Sequence, residues 1–547
     1  MPAAPDFDVL IVGSGPSGSH AAMEAVESGR KVALVEIGYS NNQPTPFDSS
    51  KTFSEIRRSD PNQQAFFLGD NPVNALRNQG RAGPHLTPGR QYMIRNMDQL
   101  FPLQSDSFLP LQSSGTGGLG VSWGANCFAL ENFELERIGI APDGMTGHYN
   151  RAGAEIGISG PTSDDLSPLI ANLDHSVVQP PLPLDSNAEC LLRRYQAKQD
   201  RYRANGTFLG QSLLAMLSRD LGDRRANPLT DMDFWGDAGR SVYRPRYTVE
   251  KLLAAPNFTH LTGRLAQRFR STPGGVTLDC RNLDSNLPES FAARKLLLAA
   301  GAINSGRLAL ASFHDYQSRL PILCNPNHWV AAINLGMLGK PARDRRHSLS
   351  QLTVLMQAEC EGPDYVLAQI YSYRSLLLFR LLKDIPLPPK QGLLFLRLLA
   401  TAFTAVNIHF PDRPSTDRWI QLEARDSGDV LRASATYSPA EKEWIQRYER
   451  RMLKFLASLR CIPMGVNRPL HGASIHYAGT LPYSNEDRPL TTTPDGMLRN
   501  APNVYVADGS SWRFMPAKGL TLTLMANARR VASQAVRDLA AEDALVR

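Results

Sequence analysis

The segment Asp8 to Gly18, DVLIVGSGPSG, constrains this chain more than any other stretch. Four apolar residues, Val9, Leu10, Ile11 and Val12, run directly into G-x-G-x-x-G at Gly13, Gly15 and Gly18, and a helix is predicted over Ser19–Ser28. Strand, turn and helix in that order are the context in which the motif binds a dinucleotide. The first glycine permits the tight turn, the second lets a pyrophosphate approach the backbone, and the third lets the helix pack on the strand. Pro16 and Ser17 complete the turn, and the helix N-terminus offers unpaired N–H groups and a positive dipole end to phosphate. A second strand, predicted over Lys31–Ile37, carries Glu36 where an acid would hydrogen-bond an unphosphorylated ribose, as in FAD or NAD rather than NADP. The motif does not separate FAD from NAD.

At 547 residues the chain suggests two to four structural units of ~150 residues each. Hydrophobic residues at 42% and charged ones at 20% are ordinary for a globular protein. Lys plus Arg number 59 against 52 Asp plus Glu, and this excess of +7 is spread along the chain, which argues against a nucleic-acid partner. The six cysteines stand far apart with no CxxC pair and no Cys/His cluster of metal-site spacing. They read as buried thiols of a reducing compartment, with no metal expected. Met1 to Asp8 has no basic stretch followed by an apolar leader, and no apolar run reaches about 18 residues. A cytoplasmic location is therefore expected.

Three further segments address the cofactor. Ser113 to Cys127, SSGTGGLGVSWGANC, is rich in small residues, as befits backbone lying close to a flat ligand. Arg294 to Ser312, RKLLLAAGAINSGRLALAS, reads as a buried strand, a small-residue turn at Ala300 and Gly301, and a helix. The C-terminal block contains HYAGT at His476 to Thr480, an expected strand Val504–Ala507 ending in Asp508-Gly509, and LTLTLMANARRVA from Leu520. Together these resemble the glucose-methanol-choline (GMC) family of FAD-dependent oxidoreductases, whose H-x-x-G-T, Y-V-A-D-G-like strand and N-P-x-L-T-x-M-A helix stand in the same order.

That resemblance implies an α/β protein: a discontinuous Rossmann-type FAD-binding domain with an α+β substrate domain built on an antiparallel sheet. The expected division is 1–163 for the first FAD-binding part and flavin-contacting loop, 164–231 for a substrate or cap insertion, and 232–315 for the second FAD-binding part. Residues 316–463 would form the substrate domain and 464–547 the C-terminal FAD-binding and catalytic segment. Asp417 to Tyr437 resembles a pair of substrate-domain strands around Ser427-Gly428. The implied FAD contacts are Gly13, Gly15, Pro16, Ser17, Gly18 and Glu36 in the first part. Gly117, Gly118, Ser122 and Asn126 in the loop, Ala300 and Gly301, and Asp508, Gly509, Leu520 and Thr521 complete the set. Pyranose-oxidase relatives tether flavin through a histidine just before the loop tryptophan, and Ser122 holds that position here, so the FAD is expected to be non-covalent.

Oxidation of an alcohol needs a base for the hydroxyl proton, and a neutral imidazole suits the task. His476 occupies the family position, and His471 is the fallback. The family's second catalytic residue, Asn or His, falls on Gly519, beside Lys518, which could supply a donor instead. The expected activity is oxidation of a hydroxyl on a small hydrophobic metabolite of secondary metabolism. The alternative, which Gly519 favours, is a non-standard dehydrogenation, cyclisation or lyase step on the same fold.

Between Tyr371 and Phe410 two leucine-rich runs are divided by Pro386, Pro388 and Pro389 and interleaved with Arg374, Arg380, Lys383, Lys390 and Arg397. Proline forbids one continuous helix. Residues 374–404 read first as core-facing helices, with an apolar lid over the substrate or a peripheral contact with a membrane interface as the alternatives.

Overall fold

The computed structural model describes residues 5–41, 50–63, 67, 86–341, 344–359, 362–372, 388–426 and 428–546. Strand Phe7–Val12 lies inside a seven-stranded sheet, flanked in parallel by Val32–Val35 on one side and by the C-terminal half of Pro288–Leu298 on the other. Phe258–Leu261 extends the sheet beyond Val32–Val35, and Val504–Val506 pairs in parallel with Leu296–Leu298. The N-terminal half of Pro288–Leu298 instead meets the hairpin Arg264–Thr272 and Gly275–Asn282 in antiparallel register. The FAD-type sheet is therefore discontinuous in sequence, as expected.

At its centre the parallel stretches Val9–Val12, Val32–Val35 and Leu296–Leu298 are apolar and buried throughout because both faces are covered. Val9 and Ile11 pack with helix Pro16–Glu27 and the C-terminal helix Thr521–Val546, whereas Leu10 and Val12 face helix Ala302–Ser312. The first helix begins at Pro16, earlier than the expected Ser19, because proline is favoured in a first helical turn and Gly15 serves as its N-cap.

A second sheet of six antiparallel strands runs in the order Cys461–Asn467, Asn327–Asn334, Phe403–His409, Pro363–Ser372, Leu352–Glu359, Thr207–Gln211. One face is apolar, with Val330, Ala332, Val406 and Ile408 buried under Tyr448, Met452, Phe455 and Leu456 of helix Pro439–Ser458. That helix is started by a capping box between Ser438 and Glu441 with Pro439 in its first turn. The other face lines a cavity.

Two expected assignments change. The boundary at 463/464 cuts through Cys461–Asn467, which is an edge strand of the six-stranded sheet. The hairpin of Arg418–Glu423 and Val430–Ala435 forms, but in a separate four-stranded sheet. Its apolar positions, Ile420, Leu422, Leu431 and Ala433, share a core with helix Ala302–Ser312 rather than with the substrate-side sheet. In the leucine-rich stretch, Pro389–Leu399 is helical with Leu394 and Leu398 exposed. Arg374, Arg380, Lys383 and Pro386 lie outside the described residues. No helix among the described residues is long and apolar enough to cross a membrane.

Where the first strand turns into the first helix, a Cβ built on Gly18 would lie 1.8 Å from the Gly13 carbonyl oxygen. Gly18→Ala must therefore push strand and helix apart, and overpacking of this kind costs about 1–3 kcal/mol. The expected result is a lower unfolding midpoint in denaturant for the flavin-free protein. An unchanged midpoint would contradict the packing described.

Candidate active site

The glycines of the opening turn divide their work as the motif requires. Gly13 has φ +97°, and a Cβ there would lie 2.7 Å from the carbonyl oxygen of Ala299 on the neighbouring strand. Gly15 has nothing within 4 Å of its would-be Cβ and borders a cavity, so its bareness serves a ligand rather than the fold. Glu36, at the end of the second strand, is buried and accepts from Thr116 Oγ1 at 2.9 Å and from Ser14 Oγ, with His260 Nε2 at 2.7 Å. Ser14 Oγ in turn accepts the Gly117 N–H at 2.8 Å. The acid thus stitches the turn, the small-residue loop and strand Phe258–Leu261 together at the ribose end.

From this turn one cavity of ≈ 1010 Å³ runs along the small-residue loop to the substrate-side sheet. That volume is at the upper end for small-molecule sites. Of the expected cofactor contacts, all line it except Gly18 and Gly117. Gly18 is consumed by the strand–helix contact, and Gly117 packs against Val121 and the backbone of Arg246. Asp508 lines the cavity but its carboxylate is already engaged, accepting from Gly301 N at 2.8 Å, Ser305 Oγ at 2.6 Å and Ser510 N at 3.0 Å. Burial pushes its pKa up, while those donors hold it down. Asp508 therefore shapes the Ala300-Gly301 turn.

The far wall is the second face of the six-stranded sheet. Side chains alternate across a strand, so Asn327 and Trp329, Phe403, Ala405, Asn407 and His409, and Gln369 and Tyr371 all face the cavity. Trp329, Asn407 and Gln369 stand directly opposite one another in one cross-strand row. Asn407 Oδ1 and, on the flavin-type loop, Asn126 Oδ1 are buried acceptors with no hydrogen-bond partner among the described residues. Buried acceptors are normally satisfied, so these two fit a ligand that brings donors.

His476 lines the same cavity, and its Nδ1 lies 3.1 Å from Asn325 Oδ1. Beside it, with ring centroids 5.2 Å apart and planes at 25°, stands His409. The backbone just before His476 is strained, since Ile475 has φ +62°, a conformation that β-branched residues rarely adopt. Sequence reasoning missed His409 and Asn325. The alternation of Asn407 and His409 with Val406 and Ile408 was the available signal for a polar wall in an apolar strand.

The other two catalytic candidates are elsewhere. Lys518 is fully buried, with Nζ at 2.9 Å from Glu131, 2.7 Å from Glu134 and 3.2 Å from the Leu169 carbonyl, and it does not line the cavity. Its charge is committed to that pair. Gly519 does line the cavity, but a Cβ there would lie 2.8 Å from the Asn126 carbonyl oxygen, so the position has no room for a side chain. His471 packs against Tyr437, ring centroids 4.3 Å apart, outside the cavity wall. Burial, together with Arg418 and Lys442, lowers its pKa to about 4.

Comparisons with known proteins agree with this geometry. A family model described as an FAD binding domain matches residues 8–50. No curated protein matches the sequence. Among solved structures, the crystal structure of pyridoxine 4-oxidase from Mesorbium loti is similar, with a TM-score of 0.55 at 14% identity over 97% of this chain and 99% of that one. The fold is thus a Rossmann-type FAD-binding architecture, and the cofactor is FAD. The bare Gly15 edge and the unsatisfied Asn126 Oδ1 fit this cofactor, with Glu36 ordering the turn beside them.

Two outcomes follow from these placements. Gly15→Ala should lower the stability of the flavin-free protein by no more than the ~1 kcal/mol of a poorer N-cap while weakening FAD binding about tenfold or more, because the added methyl meets only the ligand. Titration of the stripped protein with FAD, followed by flavin fluorescence, checks this, and equal affinity would move the cofactor away from Gly15. His471 is neutral when folded until about pH 4, whereas an unfolded histidine takes its proton near ~6.5. The stability it contributes is complete above ~6.5 and is lost as pH falls toward 4. His471→Gln should therefore flatten part of the drop in melting temperature across that window, with FAD still bound.

Proposed function

We propose that this FAD-dependent oxidoreductase is of the glucose-methanol-choline type and oxidises a hydroxyl-bearing carbon of a small, partly apolar molecule, with His476 as the base. The observation that carries the reading is that His476 shares one cavity with the dinucleotide turn. Bound FAD supplies the two-electron acceptor that such an oxidation requires.

The chain's own residues bind, orient and move a proton. His476 accepts the hydroxyl proton on a ring nitrogen, which only the neutral imidazole can do. His409, from strand Phe403–His409, contributes the second imidazole at the substrate oxygen and takes the place of a side chain that Gly519 cannot carry. Trp329, Tyr371, Phe403 and Leu470 offer apolar surface, and the amides of Asn407 and Gln369 interrupt it. A substrate with an apolar ring or chain and at least one hydrogen-bond donor matches that wall better than a sugar does. Ser122 lines the cavity where covalent relatives place a histidine, so FAD is held without a tether.

A second reading keeps the fold and the flavin but replaces alcohol oxidation with a non-standard dehydrogenation, cyclisation or lyase step. Gly519 favours it, since the usual second group is absent from its usual element.

Anaerobic mixing of the FAD-loaded protein with a panel of amphipathic primary and secondary alcohols, followed by flavin bleaching, separates the two. Under the first reading at least one alcohol bleaches the flavin, and His476→Ala slows that step by ~10² to 10⁴ while retaining FAD. Wild-type bleaching should also slow at any pH low enough to protonate His476, because the protonated ring cannot accept. Bleaching by the variant at the wild-type rate would remove His476 from the chemistry, and no bleaching by any alcohol would favour the second reading.

A further inference from the structure

We propose that Asn325 is a positioning residue for the His476 base: its carboxamide holds the imidazole as the Nδ1–H tautomer, so that Nε2 carries the proton-accepting lone pair. The inference rests on the reading of His476 as the base, and it concerns a residue four positions before Trp329 that no motif marks.

Asn325 is 1% exposed and makes three contacts to three separate segments. Its Nδ2 donates to the Phe410 carbonyl at 2.7 Å and to the Pro516 carbonyl at 3.1 Å. Both amide hydrogens are therefore committed. An amide flip would set Oδ1 against two carbonyl oxygens and is ruled out by the network, which is the proper ground for assigning an asparagine. The atom beside His476 Nδ1, at 3.1 Å, is then Oδ1, and an amide oxygen can only accept. Nδ1 must carry the hydrogen. The bond that one ring nitrogen makes decides which nitrogen is basic, and the opposite tautomer would face two lone pairs at each other in a part-buried contact with the buried Asn325. A bias of about tenfold or more toward Nδ1–H follows from the cost of leaving such a bond unmade.

The residue type is also explained. The position needs one acceptor and two donors in a plane, which a carboxamide has and which a carboxylate or hydroxyl lacks. Phe410 directly follows His409, and Pro516 stands three residues before Gly519. One side chain thus ties the base to the strand end that bears the second imidazole and to the C-terminal segment. The Asn325 backbone is held as well, since Cys324 N donates to Asp412 Oδ2 at 2.8 Å and Phe410 N to the Pro326 carbonyl at 3.0 Å.

The tautomer can be read without a substrate. In deuterated, FAD-loaded protein labelled at the histidine ring nitrogens, and with His476 assigned by loss of its signals in His476→Gln, NMR above the imidazole titration should show Nδ1 protonated and Nε2 unprotonated. An Nε2–H form, or averaging between the two, in the wild type overturns the proposal. Asn325→Ala, with its fold checked by melting and by the bound-flavin spectrum, should show averaged ring nitrogens. Where an alcohol bleaches the wild type, its rate constant at saturation should fall about 10- to 100-fold in the variant, by analogy with the loss of partners that orient metal-bound imidazoles. An unchanged tautomer in that variant also overturns it. If Asn325→Ala does not fold, the wild-type spectrum alone decides. Failure of every alcohol to bleach the flavin would sink the oxidation reading and leave the tautomer standing, whereas a mixed tautomer would do the reverse.

Discussion

The parallel pairing of Phe7–Val12 with the end of Pro288–Leu298 is the contact on which the cofactor site depends. It sets residue 7 beside residue 293 and so closes a very long loop, whose entropy grows only slowly with length. Because both strands are buried on both faces, the pairing is fixed by continuous apolar sequence rather than by alternation. Gly13 is pressed against the carbonyl of Ala299 at the end of this pair, and Gly301 and Asp508 complete the rim. The long strand also changes partner along its length, from an antiparallel hairpin to a parallel neighbour near the C-terminus. One strand therefore gathers the three distant segments that meet around FAD.

What could be read from sequence follows the same logic. The opening turn, the small-residue loop and H-x-x-G-T are legible because backbone geometry allows so few residue types there, and the structure brings all three to one cavity. The polar wall of the cavity on the six-stranded sheet is not legible. Asn407 and Gln369 stand in a cross-strand row with Trp329, His409 lies two residues further along the same face, and the register that builds such a face is set by pairing partners far away in sequence. Asn325 was invisible for a different reason: a lone asparagine before a proline reads as a turn, and only three partners in space give it a role. The hairpin Arg418–Ala435 was recognised as a hairpin but given to the wrong layer, because its apolar face does not say which neighbour will cover it.

Lys518 shows how a charge misleads. A lysine ahead of a helix usually points to water, yet this one lies between Glu131 and Glu134 with its ammonium over the ring of Tyr365, 4.6 Å from the centroid. Burial raises the Glu134 pKa and Lys518 draws it back down. Such a pair adds little net stability over an apolar substitute, but removing one partner strands a buried charge at a cost of about 3–5 kcal/mol. The lysine thus fixes the segment that carries Gly519 and leaves that position to the close approach of the Asn126 carbonyl.

That close approach and the strain around it have a common cause. Ala125 and Ile475, neither of them glycine, take φ values of +58° and +62°, and each immediately precedes a cavity-lining side chain, Asn126 and His476. Left-handed backbone at a non-glycine residue costs of order 1–3 kcal/mol and persists only where the surroundings over-determine it. Around Ile475 the surroundings are the Asn325 bond to the imidazole and the stacked ring of His409. Around Ala125 they are the backbone bonds of strand-like register to Leu213 and Ala215 on either side. Each strained residue precedes a polar side chain that lines the cavity, one a histidine, the other an amide with an unsatisfied oxygen. The strain is the cost of holding those groups still before a ligand arrives, and under the proposed reading, in which His476 accepts a proton, accurate placement of that acceptor is what the strain would serve.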